Sequence, residues 1–168
     1  MSNNQSESER TVTVRWEDPR KLGEAARGLT GMEFLQKIVA GELPPPPIAA
    51  LLKFELVELS EGRAIFAVEP KEYHYNPIGV VHGGLAATLL DSAMGCAVHS
   101  TLPAGAGYTT LEIKVNFVRP ITADTGRVRA EAKLIHLGGR TATAEGRVID
   151  EAGKLYAHAT TTCLILRK

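Results

Sequence analysis

From Tyr108 onward apolar and polar positions alternate: Leu111, Ile113, Val115 and Phe117 against Glu112, Lys114 and Asn116. A period of two predicts a strand with one face on a core. Strand character continues over residues 126–136, 140–150 and 154–166, broken at Gly138-Gly139 and at Glu151-Ala152-Gly153. Earlier in the chain, runs at 53–59 and 63–68 flank Glu61-Gly62 and predict a hairpin. Residues 83–101 are Leu, Ala, Met, Val and Gly with no proline, which predicts one long helix buried on nearly all sides. Hairpin, helix and then strands make an α+β domain, and a helix apolar around its circumference is best satisfied by an antiparallel sheet that curves around it.

Two helices are expected ahead of this domain. Asp18-Pro19 begins a short one that runs to Arg27, before Gly28. Thr30 and Glu33 form a capping box, followed by Met32, Leu35, Ile38 and Val39 at helical spacing up to Gly41. Pro44 to Pro47 exclude helix and central strand and form a stiff spacer. An SH3-type ligand is the other reading of that run, but no arginine flanks it. The expected organisation is a polar tail with an N-terminal helical extension over 1–45 and a main domain over 46–168.

Composition narrows the function. With 168 residues, the chain is long enough to bury a core without metals or disulfides. Nineteen basic and nineteen acidic side chains cancel, so no global field draws it to nucleic acid or an anionic membrane. Cys96 and Cys163 both lie in apolar segments and build neither a disulfide framework nor a thiolate zinc site, which fits a reducing cytoplasm. The tail from Met1 to Arg10 has no apolar run and reads as neither signal peptide nor anchor. His74, His82, His99, His136 and His158 show no metal-binding spacing, and no GxSxG elbow, P-loop or dinucleotide fingerprint occurs. No metal and no cofactor are expected.

The long helix carries one carboxylate, Asp91, with apolar or small residues for two turns on either side. Such a group is either well hydrogen-bonded, placed on the one exposed stripe, or kept for chemistry. The approach to the helix, Asn76-Pro77-Ile78-Gly79-Val80-Val81-His82-Gly83-Gly84, sets glycines at the helix N-terminus, where free N–H groups favour an oxyanion. Tight packing of Gly83-Gly84 and a core role for His82 are the competing structural readings.

Taken together, Asn76-Pro-x-Gly79-x-x-His82-Gly83-Gly84, then Asp91, Gly107-Tyr108-Thr109 and Asn116-Phe117-x-Arg119-Pro120, resemble the hot-dog-fold acyl-CoA thioesterases of the PaaI (phenylacetic acid degradation) type. The resemblance spans about Pro46 to Leu166 and includes the Gly138-Gly139-Arg140-Thr141 turn and the turn at Asp150 to Lys154. It implies that Asn76 and the Gly83 N–H hold a thioester carbonyl and that Asp91 acts as general base or nucleophile. It further implies that Thr109 stands near the attacking water, that His82 shapes the pocket, and that homodimers, often paired into tetramers, share sites. Coenzyme A is then part of the substrate. Gly84, Gly138, Gly139, Arg140 and Thr141 are the candidate substrate contacts, and Arg140, in a locally basic stretch beside the Gly138-Gly139 turn, is the preferred contact to its phosphates. Two other readings remain on the same fold: a hydroxyacyl-thioester dehydratase, whose proline-rich HFP element is missing, and a non-catalytic acyl-CoA sensor, which has no need of Asp91. The N-terminal helices either lengthen an oligomer contact or wall off an acyl pocket.

Overall fold

The computed structural model describes residues 10–167; most of the polar tail lies outside them. A first short helix, α1 (Arg20–Ala25), follows Pro19, and Asp18 accepts from the Arg20 amide at 3.0 Å. It stops short of the expected Arg27. In α2 (Gly31–Val39) the capping box forms as the sequence requires: Thr30 Oγ1 accepts from the Glu33 amide at 3.2 Å, and Glu33 accepts from the Thr30 amide at 2.8 Å. That bonding holds the Glu33 carboxyl below the usual carboxylate range.

The proline run differs from expectation at its last residue. Pro44 to Pro46 lie outside any helix, but Pro47 opens α3 (Pro47–Leu52). Proline is tolerated at a first helical position because its missing N–H would be unpaired there anyway. Lys53, at φ 58, then turns the chain into β1 (Phe54–Ser60).

After β1 come β2 (Arg63–Val68), β3 (Ala106–Phe117), β4 (Val128–Leu137), β5 (Thr141–Asp150) and β6 (Leu155–Arg167). These six strands form one antiparallel sheet in the order β1-β2-β4-β5-β6-β3. Gly62, at φ 70, makes the expected hairpin turn. The long helix, α4 (Gly83–His99), lies between β2 and β3 in sequence, and the sheet curves around it. This is the hot-dog arrangement.

Leu85, Leu89, Leu90, Met94 and Val98 of α4 are buried against alanines of the sheet, among them Ala130, Ala132, Ala142 and Ala144. Small strand residues let the helix sink into the concave face; a Cβ at Gly146 would stand 3.1 Å from Leu90 and 3.2 Å from Met94. Truncating Leu89, which is fully buried, to alanine costs about 2–5 kcal/mol.

The expectation that α4 is buried on nearly all sides needs correction. Gly84 and Asp91 are exposed and Ala87, Thr88 and Ser92 half-exposed, so one stripe of the helix remains open. Among the described residues, no helix is long and apolar enough to cross a membrane.

Candidate active site

The loop leading into α4 is rigidly tied. Asn76 Oδ1 accepts from the amides of Ile78 at 3.1 Å and Val80 at 3.3 Å, and the Asn76 amide donates to the Val80 carbonyl at 2.8 Å. Asn76 therefore spends its oxygen on the turn and keeps its Nδ2 donor. Val81 donates to the Ile121 carbonyl and His82 to the His74 carbonyl, pinning the loop to the chain on both sides.

Sequence reasoning gave His74 no part, yet it is buried at the base of this loop. Its Nδ1 accepts from the Lys71 amide at 3.0 Å, which leaves the proton on Nε2, 3.2 Å from the Leu52 carbonyl. Burial pushes its pKa below the ordinary imidazole value, and the bond to Leu52 only partly opposes this.

His82 is no core histidine. It is exposed and caps α4, its Nδ1 accepting from the Gly84 amide at 2.8 Å. The cap consumes the Gly84 N–H and leaves the Gly83 N–H with no acceptor among the described residues. Gly83 lies against the Phe117 ring, 3.2 Å from where its Cβ would be. Asn76, His82, Gly83 and Phe117 line a recess of about 380 Å³ at the head of the helix. Phe117, half exposed at the end of β3, belongs to this site although the sequence gave it no role there.

Asp91 sits two turns further along α4. It is exposed in the single chain, so the expectation of an apolar enclosure is not met. Its position on the stripe of Gly84 and Thr88 follows from three- and four-residue spacing. Its partner is Thr110, not Thr109: Thr110 Oγ1 donates to Asp91 Oδ1 at 2.9 Å, while Thr109 is exposed and pairs with Leu164. One turn beyond Asp91, the Tyr108 ring lies against Gly95, with Cε2 and Cζ at 2.8 and 2.9 Å from where a Cβ would be. The Cys96 thiol is pushed up to about 12 by burial and by the nearby Asp91 charge, so it is not a thiolate nucleophile.

These residues fall into two groups within one chain. Asn76, His82, Gly83 and Gly84 gather at the helix head. Asp91 and Thr110 stand about 12 Å away along the axis, at 1.5 Å per residue. The turn of Gly138, Gly139, Arg140 and Thr141 goes with the second group. Ala142 pairs with Cys163, which pairs with Thr110, so the turn is level with Thr110 and two strands over, about 10 Å. It lies far from Phe117 and the recess. Gly138 and Thr141 close it by a 2.8 Å bond, and Arg140 is exposed.

Comparison with known proteins bears on the family and the fold. The thioesterase superfamily model matches residues 78–157. A mutant of the phenylacetic acid degradation protein PaaI from Thermus thermophilus superposes with a TM-score of 0.65 at 33% identity, covering 73% of this chain and 100% of that one. The 1,4-dihydroxy-2-naphthoyl-CoA hydrolase of Listeria monocytogenes is 28% identical over 114 residues, 68% of this chain and 91% of that protein. A Halobacterium salinarum protein bearing an esterase name is 38% identical over 84 residues, 49% of this chain, which thus spans about half (54%) of that relative's length. The chain belongs to the thioesterase superfamily and has its hot-dog fold, with PaaI-type proteins among its structural neighbours.

Proposed function

We propose that this protein hydrolyses acyl-CoA thioesters to the free acid and coenzyme A, in a site completed by a second copy of the chain. No cofactor takes part, coenzyme A being substrate, and the cytoplasm is the matching compartment. The observation that carries this reading is the Thr110–Asp91 pair on the open stripe of α4, a carboxylate oriented by a hydroxyl and accessible to a ligand.

Asp91 takes a proton from water as the water oxygen adds to the thioester carbonyl carbon. The Gly83 N–H, the Asn76 Nδ2 and the positive end of the α4 dipole receive the oxyanion. Collapse of the adduct breaks the C–S bond, and the coenzyme A thiolate leaves and takes up a proton. Attack by Asp91 itself, giving a mixed anhydride that water then opens, uses the same residues. In a single turnover in 18O-labelled water, direct attack of water puts one label into the acid and none into Asp91, whereas an anhydride opened at the Asp91 carbonyl puts the label into Asp91 and leaves the acid unlabelled.

Two chains are needed because Gly83 and Asp91 of one helix are too far apart to grip one carbonyl and its attacking water. A two-fold axis sets the head of one α4 against the middle of the other. Strand β3, at the sheet edge with Leu111 and Phe117 exposed, supports such pairing. A further pairing of dimers gives the tetramer. Arg140 and the turn around it, level with Asp91, are then the contacts for coenzyme A phosphates. Thiol release screened over aryl-, short- and long-chain acyl-CoAs tests the reading. Free thiol from at least one of them is expected; a dehydrated product with the thioester intact, or binding with no thiol released, overturns it.

A further inference from the structure

Residues 91, 95 and 99 follow one another at four-residue spacing on α4. Asp91 begins the row. At Gly95 the absence of a side chain admits the Tyr108 ring from β3, and at His99 the imidazole meets that ring edge-on, centroids 5.5 Å apart. The row ends at Phe34 of α2, whose ring meets His99 at 5.9 Å and 61°. Gly95 is buried beneath the Tyr108 ring, and Ser92, Cys96, His99, Tyr108 and Phe34 are half-buried, so the row lies at the edge of the core with part of its surface open.

Its two directions from Asp91 differ in character. Toward the helix head lie Gly84, Ala87 and Thr88, small and in part polar; toward the helix end lie a thiol and three rings. In a dimer that sets one helix head against the other helix's middle, residues 92–99 run past the partner's helix head. In such a dimer the partner's α4 does not lie over them. An acyl chain whose carbonyl lies beside Asp91 has this strip, about 12 Å long at 1.5 Å per residue, as its apolar bed.

α2 closes the far end and is firmly held there. The Gly31 amide donates to the Leu102 carbonyl at 3.0 Å, and a Cβ at Gly31 would run into the His99 carbonyl and stand 2.6 Å from the His99 ring. Leu35 is buried beneath the helix.

We infer that α2 is the end wall of the acyl pocket and that Phe34 sets the longest acyl chain the enzyme accepts. The inference rests on the acyl-CoA reading above and decides between the two roles the sequence left open for the N-terminal helices. Phe34 acts on specificity and takes no part in bond making.

The test is a straight-chain series from butanoyl- to hexadecanoyl-CoA, with kcat/KM from thiol release for the wild type, Phe34→Ala and Phe34→Trp, each checked for native melting. The wild type should show a length beyond which kcat/KM falls. Phe34→Ala should raise kcat/KM on the first rejected length by about tenfold or more, the scale on which a pocket reads added methylenes, and leave the shortest substrates unchanged. Phe34→Trp should move the fall to shorter chains, and it carries the test alone if the alanine variant does not fold. An unchanged profile in folded variants, an equal loss at every length, or a wild type without a length limit overturns the end wall while leaving acyl-CoA hydrolysis standing. A wild type that releases thiol from no acyl-CoA overturns both.

Discussion

Thr110 and Asp91 face each other across the contact between β3 and α4, hydroxyl to carboxylate at 2.9 Å, although 19 positions separate them in sequence. The bond orients one carboxylate oxygen and leaves the other free to meet water. Asp91→Asn is expected to lower thiol release by about 10²–10⁴-fold with the fold retained. Thr110→Val removes a hydrogen bond to a charged group and should cost about 10–100-fold. Thr109→Val, on the exposed face, should stay within about twofold. Steady-state kinetics of the three variants decides whether Thr110 or Thr109 serves Asp91.

Shared sites make a prediction about mixtures. Asn76→Asp keeps the oxygen that ties the loop and removes the Nδ2 donor. Mixed with Asp91→Asn and allowed to exchange subunits, it yields dimers with one doubly altered and one intact site. Random pairing puts about half of the dimers in this class, so about a quarter of wild-type activity should return. No recovery, with exchange verified by mass spectrometry, would show that each chain builds its own site.

Stability should fall in mild acid. Burial depresses the pKa of His74 and of His99 below the ordinary imidazole value of 6.5. Above that value neither the folded nor the unfolded chain is protonated at these rings, and their contribution is complete. As pH falls through 6.5 the unfolded chain takes up protons that the folded chain resists, so stability is lost progressively toward the depressed folded values. Denaturant midpoints measured from neutral pH down to about 5 should decline, and His74→Gln should reduce the slope. A flat profile in both proteins would contradict the burial of these rings.

Gly95→Ala should be costly for one residue of added volume. The new methyl would meet the Tyr108 hydroxyl and ring edge, and overpacking of this kind costs about 1–3 kcal/mol. Denaturant unfolding measures it. A displaced Tyr108 should also weaken binding of the acyl group, raising KM more than it lowers kcat.

The sequence carried the element order well because each element had its own period: two along β4, β5 and β6, and apolar positions on every side over α4. What it could not carry was the register at the start of β3. Uninterrupted alternation puts Leu111 on the same face as Ile113 and Val115. The strand instead shifts register between Thr110 and Glu112, and one extra residue turns every side chain before it to the opposite face. Leu111 is thereby exposed, while Thr110 and Tyr108 face α4. The bulge alone thus moves the hydroxyl beside Asp91 from position 109 to 110. The exposure of Asp91 was hidden for a different reason. The residues on its own stripe, Gly84, Ala87, Thr88 and Ser92, are small, and small residues suit an open stripe as readily as a core.

The seat of α2 bears on how other chains are read. It is fastened at the end of α4 through main-chain atoms: the Gly31 amide donates to the Leu102 carbonyl, and the Gly31 backbone lies so close to the His99 carbonyl that no Cβ fits between them. A contact made of side chains drifts by paired substitution until nothing recognisable is left. A contact that admits no Cβ has a single spelling. Thr30-Gly31-Met32-Glu33, a capping box with glycine as its first helical residue, is therefore a signature to look for in chains of this fold that carry an N-terminal segment. Where it is present, the segment is expected to dock as it does here; where another residue replaces the glycine, this seat is closed to it, and its length alone will not reveal where it ends.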